Sequence, residues 1–264
     1  APYLLDSHRF GSKLGDQVLK DSMIYDGLFC SLIGESMGIT AENIAKKYSI
    51  SRKEQDVFAL GSHQKAIMAR DNKKFSEEIV PVGKLSIDEQ PRDDTSLEAL
   101  QKLSAVFLKD GTVTAGNASS LNDAAAAVVV ASSQFVKKYK LKPMAKVISF
   151  CSVGLDPNLM GLGGYYAAKK CLEKTSIKIS DIDLWEINEA FASQSIAVQQ
   201  LLKIDTQRVN VNGGGIALGH PIGASGARIL TTLLYELKNR SKQYGMASLC
   251  IGGGQGIAML VENI

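Results

Sequence analysis

The chain has 264 residues, 45% of them hydrophobic and 22% charged, enough for one large domain or two medium ones and ordinary for a soluble globular protein. Its formal net charge is +3 with lysines and arginines scattered, so no nucleic-acid surface is expected, although a mildly basic protein suits an anionic small ligand. No apolar run reaches bilayer-spanning length and no charged-then-apolar leader stands at the start, so no membrane segment is expected.

The four cysteines, Cys30, Cys151, Cys171 and Cys250, form no C-x-x-C pair, and only three histidines exist to join them. That composition predicts no metal site and reduced thiols in a reducing compartment, the cytoplasm first and the mitochondrial matrix second. The opening Ala1-Pro2-Tyr3 has no preceding Met, and the expectation is a chain that begins partway into something larger.

Residues 1 to 38 carry Gly11, Gly15, Gly27, Gly34 and Gly38 without a sustained period, the pattern of a loop-rich excursion. Thr40 to Tyr48 is predicted helical, and the capping box from Ser51 to Glu54 opens a second helix to about Arg70. On that helix Val57, Phe58, Ile67 and Met68 are assigned to the apolar face, and His63, among Ser62, Gln64 and Lys65, is expected to be solvated. Glu78 to Leu85 is predicted as a strand with an edge proline, Thr95 to Glu98 caps a short helix, and Gly111 to Asn117 returns to strand character. Asn122 to Val130 runs through small residues into three valines, the composition of a core element buried on both faces.

From Ser132 a regular alternation follows: helix to Tyr139, strand Ala145 to Val153, helix Tyr165 to Lys174, strand Asp183 to Ile187, helix Ala192 to Leu202. Val209 to Leu230 then joins a short β-favouring run, the glycines Gly213 to Gly215, His220 and a helix whose Ile229, Leu230, Leu233, Leu234 and Leu237 share one face. The end of the chain, MASLCIGGGQGIAMLVENI, is predicted as a hairpin. The fold class is therefore α/β, a mixed β-sheet covered by helices.

Gly219, Gly223 and Gly226 are spaced G-x-x-x-G-x-x-G, which is not the dinucleotide fingerprint. Taken alone, His220 serves equally well as a histidine that satisfies a local hydrogen bond. Three polar groups stand at strand tips, however: Asn188, His220 and Cys250, and ligands gather at such tips in open α/β sheets. A histidine base, an amide donor and a thiol suit acyl transfer. A Cys-His-Asn hydrolase with Cys250 as nucleophile uses the same residue types, but Cys250 runs into Gly252-Gly253-Gly254 rather than a strained strand-to-helix turn.

The segments NEAFA (188 to 192), NVNGGGIALGHPIGASGARI (210 to 229), CIGGGQG (250 to 256) and TAGNASSLNDAAAA (114 to 127) resemble the signature blocks of thiolases, the acetyl-CoA acetyltransferase and 3-ketoacyl-CoA thiolase family, and the likeness runs from Ala1 to Ile264. It implies a thiolase-like fold with a helical loop domain covering coenzyme A at residues 1–110, part of the N-terminal half at 111–140 and the C-terminal half at 141–264. It implies that His220 activates a nucleophilic cysteine and helps bind the thioester oxygen, and that Asn188 holds a water in the same oxyanion hole. Cys250 becomes the acid/base at the α-carbon, and the Gly252 N–H a donor in a second oxyanion hole. Ser119, Met37, Ser36, Leu28, Ala190 and Phe191 become substrate-binding positions. The substrate implied is an acyl-CoA, with no separate cofactor, and the assembly a homo-oligomer or a complex with a chain supplying the N-terminal domain.

Two departures qualify the resemblance. No C-x-S-G block of the nucleophilic cysteine occurs in the sequence, and Cys30, Cys151 and Cys171 lie in other contexts. The expectation is that most of the N-terminal domain and its nucleophile are lacking and that this chain alone does not turn over; a non-catalytic coenzyme A-binding or scaffold protein is the alternative. Ser36 stands where biosynthetic thiolases usually carry a histidine, which should weaken or re-aim coenzyme A binding, and Gln255 fits the family loosely.

Overall fold

The computed structural model describes the backbone of all 264 residues and every side chain except that of Ser7. The first 36 residues, expected as a loop-rich excursion, also contain two short antiparallel ribbons, Tyr3–Leu4 with Lys20–Asp21 and Phe29–Cys30 with Glu35–Ser36. Helices α1 (Met37–Lys47) and α2 (Arg52–Asp71) follow. At the start of α2 the Ser51 hydroxyl accepts from Glu54 N and the Glu54 carboxylate accepts from Ser51 N, so two otherwise orphaned donors are satisfied. Ser51→Ala should lower stability by about 1 kcal/mol in a denaturant titration, because it removes that cap.

The buried face of α2 is Gln55, Asp56, Ala59, Ser62, His63, Ala66 and Ala69, while Val57 and Met68 are exposed. This corrects the expected apolar face and the expected solvated His63, whose Nδ1 accepts from Arg92 N at 3.2 Å. Polar side chains lie inward because the neighbouring loops bring hydrogen-bond partners: Asp56 receives Arg52 and Asn117. Helix α3 (Leu97–Gln101) is capped by Ser96 rather than Thr95.

Three other expectations fail between residues 78 and 131. Glu78 to Leu85 is not a strand but a turn closed by one Val82–Leu85 bridge, with Val80 and Val82 exposed. Gly111 to Asn117 contributes a single bridge between Thr114 and Ala105. The run to Val130 is extended and exposed, with Val129 95% accessible, instead of buried on both faces. The cause is shared: β-branched composition favours a pleated surface, but a strand also requires a continuous partner edge, and among the described residues these segments meet at most isolated bridges.

After α4 (Ser133–Tyr139) the alternation appears as predicted: β1 (Ala145–Gly154), α5 (Gly163–Glu173), β2 (Leu184–Ile187), α6 (Ala192–Leu202), a four-residue turn of helix α7 (Gly215–Leu218), α8 (Ser225–Asn239), β3 (Tyr244–Ile251) and β4 (Gln255–Asn263). The sheet order is β1–β4–β3–β2, antiparallel except for the parallel β2–β3 pair. The expected strand at Val209 is reduced to one bridge with Trp185.

Period-two alternation divides the core. Trp185 and Ile187 of β2 pack with Cys171 of α5 and Val198 of α6 on one face, whereas Leu184 packs with Ile229, Leu233 and Leu237 of α8 on the other. Helix α5 approaches the hairpin so closely that a Cβ on Gly163 would lie 2.2 Å from the Gln255 carbonyl oxygen. The sheet thus carries helices on both faces, and β2 delivers Asn188 between them.

Candidate active site

Asn188 follows β2 directly, and its N–H continues the ladder to Ser248 O at 2.9 Å. The next residue, Glu189, is buried and accepts from Ser62 Oγ at 2.6 Å, Asn210 Nδ2 at 2.7 Å and Ile216 N at 3.3 Å. Its carboxylate therefore links α2, the strand tip and the triple-glycine turn. A Cβ on Gly214 would stand 2.3 Å from that carboxyl carbon, which explains why the turn requires glycine there. Helix α7 then ends at Gly219, with φ +92° in the left-handed region, and delivers His220.

The His220 ring is held at both nitrogens. Nε2 lies 3.2 Å from Asn188 Nδ2, and Nδ1 lies 2.5 Å from Ser225 Oγ, which itself lies 3.0 Å from Pro221 O. Burial first, and the charge of Arg228 second, push the imidazole pKa down to about 4, so the ring is neutral near pH 7. With the Ser225 hydroxyl donating to Pro221 O, Nδ1–H donates to Ser225 Oγ and Nε2 presents a lone pair. Rotating that hydroxyl toward Nδ1 places the ring proton on Nε2 instead, and Nε2 becomes a donor that gives up its contact with the Asn188 Nδ2 donor. One serine rotor thus serves a base and an oxyanion donor at the same atom.

Asn188 is fully buried and its Oδ1 has no hydrogen-bond partner among the described residues. A donor brought by substrate or water would remove a desolvation cost of about 1–3 kcal/mol. Cys250 lies two residues beyond Ser248 on β3 and packs with Cys30, Met37, Met160 and Ala190, with Phe191 at the edge of the cluster. Burial pushes its thiol pKa up to about 11. Gly252 continues into the hairpin turn, where a Cβ would be 3.4 Å from Met37 Sδ.

The structure therefore brings Asn188 and His220 into contact and places Cys250, Ala190, Phe191, Met37 and Gly252 in one adjoining group. Ser119 joins it through Ala190, whose carbonyl accepts from Ser119 N and Oγ, each at 3.0 Å. Ser36 precedes Met37 on the short ribbon that also carries Cys30, and Leu28 ends the π-helical turn Met23–Leu28 before that ribbon without joining the apolar cluster. Ser225, Glu189 and Asn210 escaped the sequence reasoning, although Ser225 lies in the GHPIGASG block five residues after His220. Cys30, Cys151 and Cys171 are buried free thiols. Among the described residues no group of three or more His, Cys, Asp or Glu could hold a metal ion, and no helix is long and apolar enough to cross a membrane.

Comparison with known proteins gives the family. The profile of the thiolase C-terminal domain matches residues 141–263, and that of the thiolase N-terminal domain matches residues 1–134. The second match corrects the expectation that most of the N-terminal domain is lacking, and with it goes the basis for expecting a separate chain to supply that domain. The acetyl-CoA acetyltransferase of Pseudomonas aeruginosa is 51% identical over 272 residues, covering 100% of this chain and 69% of its own length. The probable acetyl-CoA acetyltransferase of Escherichia coli K12 is 48% identical over 271 residues with the same coverage. Among solved structures, the Bacillus anthracis acetyl-CoA acetyltransferase superimposes with TM-score 0.94 at 43% identity, covering 100% of this chain and 69% of that one. Human mitochondrial 3-ketoacyl-CoA thiolase in complex with CoA gives TM-score 0.93 at 43% identity, covering 100% and 68%. With the two domain profiles together matching residues 1–134 and 141–263, the chain belongs to the thiolase family of acyltransferases.

Proposed function

We propose that these residues carry the proton and oxyanion steps of thiolase chemistry on coenzyme A thioesters, interconverting two acetyl-CoA with acetoacetyl-CoA and CoA or cleaving a 3-ketoacyl-CoA. The observation that supports this most is the Asn188–His220–Ser225 relay, with Cys250 clustered with Ala190, two residues beyond Asn188. In the enolate half of the reaction the Cys250 thiolate takes a proton from the acetyl methyl group, and the C–H electron pair moves toward the thioester oxygen. His220 Nε2–H and a donor held by Asn188 then hydrogen-bond that developing oxyanion. In the acyl half, the His220 Nε2 lone pair accepts the proton of an attacking thiol, and the Gly252 N–H stabilises the tetrahedral oxygen.

No cysteine of these 264 residues lies in a C-x-S-G context, so the proposal gives them α-proton exchange without thiolysis on their own. Residues 1–110 cover the coenzyme A, and Ser36 in place of a ring loosens its hold there. The buried free thiols fit a reducing compartment, for which we propose the cytoplasm.

The test follows deuterium incorporation into the acetyl-CoA methyl group in D2O by mass spectrometry, beside calorimetric titration with CoA and a thiolysis assay with acetoacetyl-CoA. Binding with exchange and no thiolysis supports the reading. Binding without exchange makes the chain a coenzyme A holder, and thiolysis by the chain alone removes the division of labour. Ser225→Ala should slow exchange about 10-fold, because it removes the rotor that places the proton on Nε2 but leaves the ring in position.

A further inference from the structure

Helix α8 carries Arg228, Thr232 and Glu236 on one face at i, i+4 and i+8. Four carboxylates meet that face: Glu186 of β2, Glu78 and Asp88 of the segment after α2, and Glu236 of α8 itself. Thr232 Oγ1 donates to Glu78 Oε1 at 3.1 Å, Arg240 takes Glu236 Oε2, and Arg228 Nη1 lies 3.8 Å from Glu186 Oε2. Arg228 Nη1, Glu186 Oε2, Glu78 Oε2 and Glu236 Oε1 are all buried without a hydrogen-bond partner. A desolvated arrangement of this kind is costly and gives little net stability, so stability alone does not account for it.

The connectivity supplies a role. Arg228 is one helical turn after Ser225, the partner of His220 Nδ1, and Glu186 is two residues before Asn188, the partner of Nε2. The pair therefore closes a loop through the ring: Ser225, His220, Asn188, Glu186, Arg228 and back along α8. We propose that Arg228 is a positioning residue for the acyl-transfer site, braced against Glu186 so that Ser225 and Asn188 keep their spacing about the His220 ring and its own positive charge stands behind that ring.

The inference rests on His220 being the working imidazole of the proposed function. On the electrostatic side, burial first and the Arg228 charge second lower the ring's pKa, while its direct partners Ser225 and Asn188 are neutral. Burial raises the Glu186 carboxyl to about 8 and that of Glu78 to about 7, and raises that of Asp88 as well. Near neutral pH Glu186 and Glu78 do not carry full charge, so they leave the field of Arg228 incompletely cancelled at the ring.

The chain has three histidines, His8, His63 and His220, which makes ring-nitrogen NMR titration readable in the full chain. In Arg228→Met the His220 midpoint should rise by about one pH unit, and its nitrogen shifts should move from one dominant tautomer toward a mixture, while His63 stays in place. Arg228→Lys keeps the charge without the fork and should hold the midpoint near the parent value. An unmoved midpoint in Arg228→Met, or equal shifts in the Met and Lys variants, overturns the proposal and leaves Arg228 a structural strut. Should Arg228→Met fail to fold, the double variant Glu186→Gln with Arg228→Met removes the charge together with its buried counterpart, and the same two results decide. This readout requires no turnover, so failure of the exchange assay above remains a separate result.

Discussion

Cys250→Ala is expected to reduce deuterium incorporation into acetyl-CoA about 1,000-fold, the loss of a positioned general base. The thiol lies in an apolar cluster with Cys30, Met37, Met160 and Ala190. The same burial fixes the pH dependence. With its pKa raised to about 11, Cys250 is a thiol near pH 7, ready as an acid, and its thiolate fraction grows tenfold per pH unit below that value. Exchange by the parent chain should therefore climb with unit logarithmic slope from pH 7 to beyond pH 9, well past the midpoint of an ordinary cysteine. A profile that flattens by pH 9, or a Cys250→Ala variant that exchanges like the parent, would remove Cys250 from the role.

The part of the fold built on local pattern was legible. Helix α6 occupies Ala192–Leu202, the range its sequence predicts, and the helical stripe of α8, from Ile229 to Leu237, is the face that meets the sheet. These elements have hydrophobic periods that agree with their packing, so local and tertiary preferences coincide. The segments at 78–85, 111–117 and 122–130 carry β-favouring composition, yet pairing is non-local, and no property of a single segment says whether an edge lies beside it. His63 was misplaced for a similar reason. Its sequence neighbours are polar, but the loop bearing Arg92 folds over that face of α2 and supplies a backbone N–H.

The site divides along the same line. Asn188 and Cys250 stand at the ends of β2 and β3, whereas His220 follows the short helix α7 rather than a strand, and glycine punctuation marks all three positions. Glu189, Ser225 and Arg228 act through contacts between α2, α8 and β2, which lie far apart in sequence. Asn210 illustrates the difference: its amide bonds both Ile187 N and Ile187 O at 2.8 Å, doing the work of a missing strand residue with a side chain. No periodicity announces such a replacement. Once the tip is built, however, the glycines after it have a cause, because Gly214 abuts the Glu189 carboxylate that Asn210 also binds.

His220→Gln should affect both chemistry and stability, in separable ways. Loss of the Nε2 donor is expected to slow α-proton exchange about 300-fold, within the range for removing one oxyanion donor. The stability effect follows from proton linkage. In the folded chain the ring pKa is lowered from 6.5 to about 4, chiefly by burial. Above pH 6.5 the ring is neutral in both states and contributes no pH dependence. As pH falls from 6.5 toward 4 the unfolded chain takes up the proton and the folded chain does not, so the folded state loses about 3 kcal/mol. His63, also lowered mainly by burial, acts in the same direction, but it is present in parent and variant alike. The difference between urea titrations at pH 7 and pH 4 should therefore be about 3 kcal/mol smaller in His220→Gln than in the parent. An equal acid-side loss in the two proteins would mean that the ring titrates near 6.5 in the folded chain as in the unfolded one. Burial would then not lower its pKa, and the dry, neutral imidazole held between Asn188 and Ser225 would have to be given up.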